Sequence, residues 1–102
     1  MESALYHITH RRGTASRDYA DIIAKLFKRS DFLDSENYKN GSGVFDAVGL
    51  GDFAEIRTIG GPVSGRTLLL VESSRGSLPF IKKVKEYIES RHPDLTLHSA
   101  DP

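Results

Sequence analysis

Histidine at positions 7, 10, 92 and 98 is the residue type in this chain best suited to metal ligation or proton transfer, and the sequence holds no cysteine to compete with it. His7 and His10 lie three apart in a strand-like run, so they face opposite sides of it and cannot chelate one ion from a flat strand. His92 closes a helical segment and reads as its C-cap. The metal site that the sequence supports is a cross-strand pair, His7 with His98, aided by Asp101, with a divalent ion as occupant.

The other chemical stretch is Gly60-Gly61-Pro62-Val63-Ser64-Gly65-Arg66-Thr67. It matches the phosphate-loop pattern G-x-x-x-x-G-K-[ST] except that Arg66 replaces the lysine. A true phosphate loop opens a helix, whose free N–H groups hold the phosphates, whereas Thr67 leads into the strand-like run LLLV. What remains is a glycine-rich connection in which Gly60, Gly61, Gly65 and Arg66 bind a small anion or nucleotide through backbone N–H groups and one guanidinium. The string His7-Ile8-Thr9 resembles the H-x-T motif of two-histidine phosphoesterases. That chemistry needs a second copy, and His98-Ser99-Ala100 puts the hydroxyl one residue too early. Asp46, Asp52, Glu55 and Glu72 are not held in pairs by helical spacing for acid–base work. Arg11, Arg12, Lys82, Lys83 and Lys85 lack the interleaved aromatics of a single-strand binder and read as solvated faces.

The elements that position these residues are legible from periodicity. Residues 4–10 (ALYHITH) alternate as a strand, and Arg11, Arg12 and Gly13 stop it. Ser16 reads as an N-cap before Tyr19, Ile22, Ile23, Leu26 and Phe27, whose spacing paints one apolar stripe on a helix. Residues 30–43 (SDFLDSENYKNGSG) are polar and turn-forming and read as a mobile loop. Residues 44–50 and 53–59 read as two strand segments meeting at Gly51-Asp52. The run TLLLVESS follows as a strand, and Ser77 and Pro79 open a second helix with Phe80, Ile81, Val84, Tyr87 and Ile88 on its buried stripe. Pro93 ends that helix, and LTLH closes the chain's last strand.

Strand, helix, hairpin, strand, helix, strand is the order of an α+β sandwich of ferredoxin-like type, an antiparallel sheet with two helices on one face and one extra hairpin segment. Residues 1–102 read as a single domain. The central strand is apolar on both faces, with Leu68 and Leu70 opposite Leu69 and Val71, while two helices cover only one face. A second subunit is the expected cover for the other, so a homo-oligomer is expected. The 14 basic and 14 acidic side chains cancel, so no global field draws the chain to nucleic acid or an anionic membrane. No run approaches the roughly 18 apolar residues of a membrane span, and the N-terminal residues lack the pattern of a signal peptide, so a cytoplasmic location is expected.

The C-terminal third, LLLVESSRGSLPFIKKVKEYIESRHPDLTLH, resembles the end of the divalent-cation-tolerance (CutA) family and its relatives in the PII-like superfamily: a hydrophobic strand, a short turn, an amphipathic helix ending in His-Pro, and a closing strand. Asp94-Leu95-Thr96 stands where that family carries a Tyr and a Pro-Glu-Ile run, and its tryptophan-bearing hairpin has no counterpart. The resemblance implies a trimer with small-molecule or metal-ion sites between subunits and a mobile loop that senses occupancy. It implies a non-enzymatic, ligand-sensing or regulatory role. The rival reading is a small dimeric enzyme whose apolar pocket is lined by Tyr6, His7 or His98, with a histidine as general base; a third is an interaction module using the open sheet face.

Overall fold

A computed structural model describes residues 2–11, 16–47, 52–59, 66–73 and 78–100. Alternating and amphipathic segments fold as their periods dictate: β1 (Glu2–His10), α1 (Ser16–Lys28), β2 (Leu33–Lys39), β3 (Ser42–Ala47), β4 (Phe53–Ile59), β5 (Arg66–Ser73), α2 (Leu78–Arg91) and β6 (Leu95–Ser99). The strands make one antiparallel sheet in the order β2-β3-β4-β5-β1-β6. The fold is an α+β domain in which α1 packs on β1, β2, β4 and β5, α2 on β1, β5 and β6, and the helices on each other. Both helices therefore cover the same face.

That face holds the core. Ile23 and Phe27 from α1, Val84 and Ile88 from α2, and Phe45, Ala54, Ile56, Leu69 and Val71 from the sheet are fully buried. Of the expected helical stripes, Ile23, Phe27, Phe80, Ile81, Val84 and Ile88 are buried and Tyr19, Ile22, Leu26 and Tyr87 half-buried, and Ala20 and Ala24 of α1 are buried with them. On the opposite face, Leu5, Leu68 and Leu70 are only half-buried and line a shallow pocket with Glu55 and Arg57, which pair with each other.

The region read as a mobile loop is corrected by the fold. Residues 33–39 form β2, and the turn that joins it to β3 is Asn40-Gly41, with φ of 54° and 82°. Both are left-handed, the requirement of a two-residue type I′ hairpin, which Asn-Gly meets at least cost. The polar composition misled because β2 is an edge strand, exposed at Asp34, Asn37 and Lys39, with Leu33 buried and Tyr38 half-buried. Tyr38 donates its hydroxyl to Asp21 at 2.6 Å, tying the edge to α1. The hairpin expected at Gly51-Asp52 lies outside the described residues at 51, although β3 and β4 do pair antiparallel and Ala47 N donates to Asp52 O at 2.7 Å.

A shift of register between Ser35 and Asn37 bends the edge hairpin, bringing its backbone close to Gly43. A β-carbon at Gly43 would meet the Asn37 carbonyl oxygen and the Tyr38 α-carbon, both main-chain atoms that cannot rotate aside. Gly43→Ala is therefore expected to cost about 1–3 kcal/mol, the range of overpacking that moves backbone. Urea unfolding checks this; a loss under about 0.5 kcal/mol, the scatter of ordinary surface changes, would show that the hairpin does not pass Gly43 so closely.

Candidate metal centre

Three chain segments converge beyond the C-terminal end of β1. His92 follows α2 directly; its N–H donates to Ile88 O at 2.9 Å, and its own carbonyl accepts from Leu95 N at 3.0 Å. Pro93, with fixed φ and no N–H, makes the corner between those two bonds. Asp94 O then accepts from Arg11 N at 3.0 Å, and His10 stands opposite Leu95 in the β1–β6 register. The backbone thus fixes His10, His92 and Asp94 around one corner.

Their ligand atoms, two imidazole nitrogens and one carboxylate oxygen, all lie within 4.8 Å of one another, and each residue is half-buried. Tyr19 of α1 stacks on the His10 ring at 6.0 Å with an 8° interplanar angle, and His92 meets that ring edge-on at 5.5 Å. Packing on both sides limits how far the imidazoles can turn. The His92 Nδ1 is buried and without a hydrogen-bond partner. A buried imidazole nitrogen left unpaired costs free energy unless something fills it.

Two imidazoles and a carboxylate suit a borderline cation such as zinc, nickel or cobalt better than magnesium or calcium, which take oxygen ligands. Bonds of 2.0–2.2 Å around a tetrahedral ion put donors roughly 3.4 Å apart, a spacing inside the 4.8 Å within which the three ligand atoms lie. Three protein donors leave one coordination position open to water, a small ligand or another chain.

The residues singled out in the sequence are placed differently. His7 and His98 are direct partners in the β1–β6 register, as the cross-strand reading requires. Yet His98 is exposed, its Nε2 sits 3.2 Å from Thr9 Oγ1, and the described residues bring no third metal donor to the pair. Asp101, Gly60, Gly61 and Gly65 lie outside the described residues, and Arg66 opens β5 with an exposed side chain. His92 does stand at the C-terminal cap of α2, through its backbone N–H to Ile88 O, while its ring Nδ1 has no hydrogen-bond partner.

Comparison with family models, with curated proteins and with solved structures finds no significant match to this chain. Its site therefore rests on its own geometry. No helix among the described residues is long and apolar enough to cross a membrane.

Proposed function

We propose that this chain is a non-enzymatic, metal-binding sensor or regulatory protein, built on a ferredoxin-like scaffold of PII-like kind and working as a homo-oligomer. The observation that carries the reading is the convergence of the ligand atoms of His10, His92 and Asp94, together with the buried, unpartnered Nδ1 on the His92 ring. Of the ligands considered from sequence, an anion, a nucleotide or a metal ion, the metal has a donor set brought together by the fold. The strand order β4-β5-β1-β6, with both helices on one side, supports the ferredoxin-like scaffold, to which β2 and β3 add an edge.

Self-association is supported by the second sheet face. Among the described residues it carries no helix, and Leu5, Leu68 and Leu70 stay half-exposed in its middle. The rival enzyme draws little from the same face, since the pocket there is lined by those leucines, Glu55 and Arg57 and not by a histidine.

The test is zinc titration of metal-stripped protein by calorimetry, followed by native mass spectrometry. One ion per chain on a trimer is the expected result. Absence of saturable binding overturns the metal reading, and a bare monomer overturns the oligomeric one.

A further inference from the structure

A second site lies where the C-terminal ends of the two helices meet, well apart in sequence from His10 and on different side chains from the metal trio. Leu26, Arg29, Ser30 and Asp31 from α1 and its exit face Tyr87 and Arg91 of α2 across a groove of about 530 Å³. An adjoining space of about 410 Å³ shares Asp31, Tyr87 and Arg91 and adds Phe32, Lys83, Glu86 and Ser90. Such volumes fall in the range of small-molecule sites.

Two of the cations of this groove, Lys83 and Arg91, are pre-positioned. Lys83 Nζ lies over the Phe32 ring at 4.5 Å from its centroid, and the Arg91 guanidinium lies over the Tyr87 ring at 5.5 Å. Phe32 and Tyr87 meet edge to face at 5.4 Å, making one aromatic shelf under both charges. Tyr87 is itself anchored, its hydroxyl donating to Leu26 O at 2.8 Å. Long side chains held in this way lose less freedom when a ligand arrives.

None of the three cations is consumed by the fold. Among the described residues the ion pairs are Arg57 with Glu55 and Lys85 with Glu89, and neither includes Arg29, Lys83 or Arg91. Two of the carbonyls at the end of α1, which would otherwise attract these cations, are met by other donors. Leu26 O accepts from Arg29 N and the Tyr87 hydroxyl, and Phe27 O accepts from Ser30 N and the Ser30 hydroxyl. Across the two adjoining spaces two guanidiniums and an ammonium outnumber the carboxylates of Asp31 and Glu86, and guanidinium forks match phosphate in geometry, so the cationic side of the groove suits an oxyanion.

We propose that this groove binds a small molecule carrying a phosphate or pyrophosphate group, with Arg29 and Arg91 clamping the oxyanion and Lys83 adding the third charge. The groove uses different side chains from the metal centre, although Arg91 adjoins His92, so it is tested on metal-stripped protein. Inorganic pyrophosphate is titrated while backbone amide resonances are followed.

Saturable shifts centred on residues 29–32 and 83–91 are expected. Arg29→Ala and Arg91→Ala, both at exposed positions, are each expected to weaken binding about tenfold, the scale of one charge-assisted hydrogen bond. Lys82→Ala, exposed on α2 but outside the groove, should leave affinity unchanged. The proposal is overturned by non-saturating shifts, by equal weakening in Lys82→Ala, or by a folded Arg29→Ala protein that keeps full affinity. Tighter binding of an acidic peptide than of pyrophosphate would also overturn it, since the occupant would then be a macromolecule. Arg29→Gln and Arg91→Gln, with melting curves, serve in place of any alanine variant that fails to fold.

Discussion

Zinc at a hundredfold excess over its dissociation constant is expected to raise the melting temperature of this protein by about 10–20 °C. A ligand at that excess adds about 2.7 kcal/mol to the folded state, and each kcal/mol moves the midpoint of a domain this size by about 4–8 °C. The gain should vanish in His92→Ala and in His10→Ala, because two donors remain where three are needed. Without zinc, His92→Ala should melt close to the parent, since the ring nitrogen it deletes makes no hydrogen bond in the folded chain. His98→Ala is the decisive control. If the zinc gain disappears there and survives in His92→Ala, the ion sits on the cross-strand His7–His98 pair; if parent and His92→Ala gain equally, the corner at Pro93 is not a metal site.

The second large effect is expected from Phe27→Ala. Phe27 is fully buried on α1 and meets Phe45 of β3 edge to face at 5.1 Å and 73°, while Tyr38 of β2 leans on the other side of Phe45 at 5.8 Å. Deleting a buried phenyl ring costs about 3–5 kcal/mol through lost burial and the cavity left behind. Small domains have about 5–15 kcal/mol in total, so the variant should unfold at much lower urea with an unchanged slope. A loss below about 2 kcal/mol, less than a core phenyl is worth, would mean that the β2–β3 hairpin does not seal this end of the core.

Periodicity made the two helices, β1, β4, β5 and β6 readable, because each buries one regular face: Phe80, Ile81, Val84 and Ile88 are the residues α2 turns inward, as their spacing requires. β2 was hidden because an edge strand needs few apolar residues, and its Asn40-Gly41 turn was absorbed into a polar stretch whose overall composition spoke louder than one dipeptide. The metal trio was within reach of the same reasoning that paired His7 with His98. Setting β6 antiparallel to β1 brings the end of β1 beside the start of β6, and so His10 beside Asp94. What spacing alone could not supply is the turn at Pro93 that folds the His92 ring back towards both. The phosphate groove left no signal in sequence, since Arg29, Lys83 and Arg91 look like ordinary solvated charges until two helix ends are set side by side.

The place of β1 in the sheet also governs the order in which the protein can assemble. Strands β2 to β5 follow one another in sequence and in space, a meander that closes through short connections. β1 instead lies between β5 and β6, with Glu2 opposite Ser73 and His10 opposite Leu95. The first-made strand of this sheet is thus the last to find both neighbours, and such distant pairings slow folding towards the millisecond-to-second range of sheet-rich domains. Until α2 and β6 have been made, β1 has one unpaired edge and only one of the three metal ligands, His10, so the finished ligand set marks a chain synthesised at least as far as Asp94.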